Sequence, residues 1–388
     1  MVLGFTAFFE PIVQEFGWSF AQVSLAASLR GAELGLFAPV IGLLVDRWGP
    51  RRLIFAGLLL VGFGMVFLSR INSLGMFYLG FVIITLGMSG LSPTVVFTAI
   101  AQWFRKRLGI ATAIAGSGFA LGGLLIVVVV KLIDLFDWRT AIFILGITVM
   151  VTCLPISLLI RHKPEQYGYL PDGEKKKSID REDTVPAETD EDHITVKQIV
   201  KNRTFWHIGL AMMFHYFAMS TVMIHVMPYL STVGVIRSTA SLVAMAVPLF
   251  SIVGRIISGL LGDRFNKKRI ATVLFAVTAL GLLCFIYTSS EVMWLLIPFI
   301  ILFGIGWGSN NTLRAAMIRE RFGRSKFGTI LGFTMGLSGL ASIIGPYFTG
   351  WIYDTLGDYR VAWFAITILV IVAVFIIATT PKMTARGN

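Results

Sequence analysis

Five side chains that can hold or exchange a charge stand in stretches that are otherwise apolar. Arg255 lies within residues 239–262, and Arg314 follows the uncharged run 292–313. Arg30 and Glu33 share residues 20–45, and His215 lies within 204–236. A guanidinium in such surroundings needs an anion, and its planar fork takes a carboxylate through two charge-assisted hydrogen bonds. An imidazole titrates near neutrality and is able to carry a proton. These residue types offer anion binding and proton exchange. The chain shows no zinc, protease or P-loop spacing. Gly304-Ile-Gly306-Trp-Gly308 has the look of a nucleotide loop, but it lies in an apolar helix with no strand before it, so it reads as helix packing. Cys153 and Cys284 both sit in apolar runs, which suggests neither a disulfide framework nor a metal site. No cofactor, no metal and no enzymatic activity are expected.

Composition decides what kind of element carries these charges. Of 388 residues, 56% are apolar and 14% charged, against roughly 25% charged in soluble domains. No aqueous core hides that much apolar side chain, whereas a bilayer does. Runs free of Asp, Glu, Lys and Arg cover 53–69, 71–104, 108–130, 140–160, 204–236, 270–290, 292–313, 327–353 and 361–381. With 20–45 and 239–262 they predict eleven full-length spanning helices. Residues 1–16 reach only about 24 Å as a helix, short of a ~30 Å hydrocarbon core. They also lack the basic start and small-residue cleavage site of a leader peptide. They read as the outer part of a first span that begins upstream of this numbering.

Depth follows from helix rise. Arg255, eight residues before Asp263, lies about 12 Å from one surface, near the midplane. Arg314, six residues before Glu320, lies about 9 Å inside; it either takes part in binding or gating, or snorkels to the near surface. His215, nine residues past Trp206, is also near mid-depth, as a proton carrier or as a hydrogen-bonded structural histidine. Arg30 and Glu33 are one turn apart and either neutralise each other or serve gating or proton transfer. His225 and Tyr229 fall nearer the outer end, where a gate belongs. Trp307, Asn310 and Asn311 offer an aromatic wall and amide donors, with ordinary packing as the other reading of Trp307.

The net charge of +12 is strongly one-sided. With both termini cytoplasmic, 25 lysines and arginines fall in the inner loops and five outside (Arg70, Lys131, Arg139, Arg237 and Arg360). That split is the positive-inside pattern and explains the basic balance without nucleic acid. A multi-pass cell (inner) membrane protein is predicted, with the bilayer as partner and as a monomer.

The chain also repeats itself. Gly42-Leu-Leu-Val-Asp46-Arg47-Trp-Gly49-Pro-Arg51-Arg52 returns 217 residues later as Gly259-Leu-Leu-Gly-Asp263-Arg264-Phe-Asn266-Lys-Lys268-Arg269. Asn266 is expected to replace Gly49 by tolerating positive φ. The glycines 42 and 259 suit close helix approach, and each Asp is placed to bridge to a partner helix and to let go when the halves rock. The one long polar stretch, 161–203, mixes nine Lys/Arg with ten Asp/Glu and reads as a linker, with a short surface helix near 195–200 capped by Thr195. The predicted organisation is a bundle over 1–160, a linker over 161–203 and a second bundle over 204–388.

These repeated motifs resemble the major facilitator superfamily along the whole chain. Glu15-Phe-Gly-Trp-Ser19, Trp103-Phe-Arg-Lys-Arg107, Arg161-His-Lys-Pro-Glu165-Gln-Tyr-Gly168 and Gly254-Arg255 are similar to stretches of its monocarboxylate transporter and oxalate/formate antiporter group. The resemblance implies an all-α membrane fold of two pseudo-symmetric six-helix bundles around a central cavity. It implies secondary active transport of small organic anions, by proton symport or anion exchange. It also implies that Arg255 holds the substrate carboxylate. Animal members carry an acidic residue where this chain has Ser251, which weakens a proton-carrying pair in span 8. The lysine that oxalate carriers have in span 11 is missing from Thr334-Met-Gly-Leu-Ser338, which favours a monoanion. An efflux carrier for another amphiphile and a non-transporting substrate sensor are the alternatives.

Overall fold

A computed structural model describes residues 5–18, 22–23, 37–122, 126–161, 163–173, 196–324 and 326–380. Arg30, Glu33 and the proposed cap Thr195 lie outside them, as does most of the polar linker. In chain order the helices are α1 (Phe5–Phe16), α2 (Ala38–Trp48), α3 (Pro50–Leu68), α4 (Leu74–Ser89), α5 (Pro93–Trp103), α6 (Leu108–Leu121), α7 (Ile126–Phe136), α8 (Trp138–Thr148) and α9 (Leu154–Leu158). Beyond residue 195 come α10 (Val196–Lys201), α11 (Arg203–Thr232), α12 (Arg237–Arg264), α13 (Lys267–Ile286), α14 (Leu296–Phe322), α15 (Phe327–Leu356) and α16 (Arg360–Thr379). Among the described residues nine helical stretches are long and apolar enough to cross a membrane.

Local sequence explains where these helices start, bend and stop. Gly49 takes φ +81° between α2 and α3, and Pro50 begins the next helix where its missing N–H costs nothing. The expectation for the second copy was wrong: Asn266 has φ −64°. It serves as an N-cap instead, its side-chain oxygen accepting from Arg269 N at 3.3 Å. The sixth span changes to π-helical geometry over Val149–Cys153 just ahead of Pro155, whose ring leaves no room for a regular turn. Asp137, at φ +88°, caps α8 by accepting from Thr140 N at 2.8 Å.

Large apolar side chains such as Leu135, Val151, Leu159 and Phe375 are exposed over the helical surface, as befits contact with hydrocarbon. One buried apolar cluster joins the two halves: Phe97, Ala101 and Leu108 pack with Leu313, Phe327, Leu331 and Met335. It lies toward the end of the molecule that carries the repeated motif. At the opposite end Glu15 anchors α1, accepting from Trp138 Nε1 at 2.5 Å and from the Arg139 guanidinium at 2.7 Å.

Candidate functional site

Glycine brings the helices of the second half close enough to share side chains. A Cβ at Gly308 of α14 would lie 2.0 Å from Ser251 O and 2.6 Å from Arg255 N of α12. One at Gly306 would lie 1.9 Å from Thr278 Oγ1 of α13. The Gly304–Gly308 pattern is therefore spent on two neighbouring helices.

Arg255 projects from α12 toward the first half and passes over Gly116 of α6, where a Cβ would sit 3.4 Å from its Cδ. Its Nη1 is buried and has no hydrogen-bond partner among the described residues. Ser251, one turn earlier, is fully buried and donates its hydroxyl to Pro248 O at 2.6 Å.

Arg314 does not snorkel. It is 1% exposed, because its position on α14 faces α11 and α15 and not the rim. Its Nη2 donates to Asn310 Oδ1 and to Ser338 Oγ, both at 2.7 Å, while Nε has no partner among the described residues. The amide of Asn310 then faces His215 Nδ1 at 2.9 Å, and His215 Nε2 meets Thr278 Oγ1 at 2.9 Å. Donor directions run one way along this chain. Thr278 gives its proton to Leu274 O at 2.9 Å, so it accepts from Nε2–H. Nδ1 is then the acceptor for the Asn310 amide, whose oxygen is left for Arg314. Both imidazole nitrogens are engaged, and the ring stacks on Phe275 at 4.0 Å. Thr278 and Ser338 complete the relay; nothing in their local sequence marks them, since each is one of several hydroxyl residues in a largely apolar helix.

The two outer candidates also hold architectural posts. Tyr229 is buried and donates to Phe285 O and Ile286 O at 3.1 and 3.0 Å, closing the end of α13. His225 Nε2 lies 3.0 Å from Pro346 O, and Nδ1 lies 3.4 Å from Tyr359 Oη. Trp307 is partly buried against the apolar core, which is the packing reading. Asn311 is partly buried beside Asn310.

The repeated motif forms a second constellation. Asp46 at the end of α2 accepts from Gly328 N (3.0 Å), Thr329 N (2.7 Å) and Thr329 Oγ1 (2.6 Å) at the start of α15. Asp263 near the end of α12 accepts from Gly109 N (2.7 Å) and Ile110 N (2.9 Å) at the start of α6. The contacts are tight because Gly42 meets Gly328 and Gly259 meets Gly109. Arg47, Arg51, Arg52, Arg264 and Arg269 are exposed around them, and Lys268 Nζ donates to Thr380 O at 2.6 Å, closing the end of α16.

The sequence matches the profile described as Major Facilitator Superfamily over residues 1–235 and again over 208–387. The chain belongs to that superfamily. This facilitator is 27% identical over 375 residues to Monocarboxylate transporter 12 of Xenopus laevis, a match covering 92% of this chain and 79% of the relative. To human Monocarboxylate transporter 2 it is 24% identical over 385 residues, covering 95% and 79%. Its fold matches the crystal structure of the Escherichia coli fucose:proton symporter with TM-score 0.73 at 14% identity, over 98% of this chain and 97% of that one. A human organic anion transporter gives TM-score 0.67 at 14% identity, over 97% and 89%. The facilitator is a multi-pass membrane protein whose relatives are transporters.

Proposed function

We propose that this facilitator is a secondary carrier of small organic anions of the monocarboxylate type, working by proton symport or anion exchange with alternating exposure of a midplane site. The observation that carries the reading is Arg255: a guanidinium near mid-depth, aimed at the opposite half, with a buried Nη1 that no described residue satisfies. A buried unpaired cation is costly, and a substrate carboxylate relieves that cost. Ser251 in the place of an acidic neighbour leaves the cargo as counter-ion. The names of the monocarboxylate relatives agree with this class of cargo. In this reading Arg314 and Asn310, buried within the second half, brace the walls of the site, the bundles are residues 1–160 and 204–388 joined by 161–203, and the motif face is cytoplasmic, which the surplus of basic residues supports.

The test is counterflow in proteoliposomes with labelled lactate, pyruvate, formate and oxalate. Saturable exchange of at least one is expected. Arg255→Lys keeps the charge but loses the two-donor fork, so its KM rises, and Arg255→Ala abolishes saturable flux. Transport by Arg255→Ala with unchanged KM overturns the site and moves attention to Arg314. Binding of an anion without movement of label overturns the carrier reading.

A further inference from the structure

Among the described residues Arg314 is the only Lys, Arg, Asp or Glu that is fully buried. No described carboxylate pairs with it: the ion pairs are Arg139–Glu15, Lys267–Glu320 and Arg324–Glu165, all in partly exposed positions. What surrounds the guanidinium is neutral. Asn310 and Ser338 accept from Nη2, and Tyr216 and His215 stand within electrostatic range. His215 adds no charge, since one ring nitrogen donates to Thr278 and the other accepts from Asn310. Amide and hydroxyl dipoles ease a buried cation, but they do not cancel a whole charge. Nε, also buried, has no acceptor among the described residues.

The spent donors decide which anion fits. A guanidinium has two edges at which a carboxylate binds through paired hydrogen bonds, and Nη2 belongs to both. Both of its protons are already given, one to Asn310 Oδ1 and one to Ser338 Oγ. Arg314 therefore has no free fork for an organic carboxylate. Nε offers a single N–H, which suits a compact spherical ion that needs no paired donors. Location separates this group from Arg255 as well. Arg255 is half-buried and lies over Gly116 of the first half. The neighbours of Arg314 stand on α11, α14 and α15, all in the second half, so rocking of one half against the other leaves them in place.

We propose that Arg314 holds a small inorganic monoanion of the halide kind at Nε, resident in the second half and separate from the cargo at Arg255. The ion neutralises the guanidinium through a charge-assisted hydrogen bond. It stays bound while the halves move, and it does not depend on the carrier reading.

The experiment uses the full chain in detergent, freed of halide by exchange into sodium gluconate and then dialysed against radiolabelled chloride. Saturable binding of about one chloride per chain is expected, with a saturable rise of several degrees in melting temperature. Excess lactate is expected to leave the chloride in place, and Arg255→Ala to bind it as the parent does. Arg314→Gln removes the charge and is expected to lose the bound chloride and to melt at a temperature that chloride does not change. A parent chain that binds no chloride overturns the site, and that result needs no variant to fold. Displacement by lactate, or loss of chloride in Arg255→Ala, puts the ion in the cargo site and also overturns it. So does chloride retained by folded Arg314→Gln. Failure of organic-anion exchange by a chain that holds its chloride overturns the carrier reading and leaves this site standing.

Discussion

Asp46 and Asp263 occupy equivalent places in the two motif copies, and each carboxylate caps the first turn of a helix that belongs to the other half. A helix start carries unsatisfied N–H groups and a partial positive charge, and a carboxylate answers both. The same residue type therefore seals the motif face twice, by the same physical means.

Removing either cap should loosen the helix that receives it. Asp46→Ala leaves Gly328 N and Thr329 N without acceptors, and Asp263→Ala does the same for Gly109 and Ile110. The expected loss is about 1–3 kcal/mol at each site. Hydrogen–deuterium exchange should speed up at residues 327–332 in the first variant and at 108–113 in the second. Equal exchange in parent and variants would contradict the capping account.

Gly308→Ala should be among the most damaging small substitutions in the chain. Its Cβ meets the Ser251 carbonyl at 2.0 Å, a backbone atom that has nowhere to go. Gly118→Ala, with open space around it, is the matched control. Thermal unfolding in detergent is expected to fall by many degrees for the first and by almost nothing for the second. Similar melting temperatures would show that α12 and α14 are able to part.

His215 should matter for order more than for protons. With Nε2–H given to Thr278 and Nδ1 accepting from Asn310, an added proton would face an amide donor. Thr278→Val strands the Nε2–H, at a cost of about 1–3 kcal/mol, and should lower the melting temperature. His215→Gln should keep whatever acid stimulation of uptake the parent shows while lowering stability. Loss of acid stimulation in a well-folded His215→Gln protein would return the proton to this ring.

Glu165, in the 3-10 turn Pro164–Tyr167, pairs with Arg324 and has its own pH signature. Burial alone would raise the Glu165 carboxyl, but the hydrogen bond from Arg324, a backbone hydrogen bond and the charges of Arg324 and Lys163 together outweigh it and hold the group below the ordinary glutamate value of 4.5. A depressed folded-state value means that the stabilisation is fully present above the ordinary carboxylate range and is lost only as pH falls through the lowered value. Distances across the motif face, between spin labels on Trp48→Cys and Phe265→Cys, should be flat from pH 8 to pH 5 and lengthen only in stronger acid. Opening between pH 7 and pH 6 would point to another group.

The spans were legible because a bilayer forbids uncharged runs from hiding their purpose. The cross-half role of Asp46 and Asp263 was legible because the motif occurs twice in register. What the sequence left open had a common cause. The direction in which Arg314 points depends on its angular position around α14 relative to α11 and α15, which depth arithmetic does not contain. Tyr229 sits at an outer end in sequence, yet its ring turns inward to the end of α13. Asn266 satisfies the turn after the second motif copy by capping, where Gly49 does so by backbone freedom, and one letter code fits both solutions. The relay through Thr278, His215, Asn310, Arg314 and Ser338 joins four helices and has no trace in any one of them.

The paired caps have a consequence for how such a molecule arises. Each half offers one carboxylate at the end of its second span and one bare helix start at its fifth, and each accepts what the other offers. That is the self-complementarity of a two-fold symmetric dimer, in which the same patch serves both subunits. Because most of the receiving groups are main-chain amides, the surface recognises a copy of itself as long as Gly109 and Gly328, which let the helices meet, are kept. A six-helix ancestor with this arrangement pairs with its twin without a single new residue, and gene fusion then only has to supply the tether.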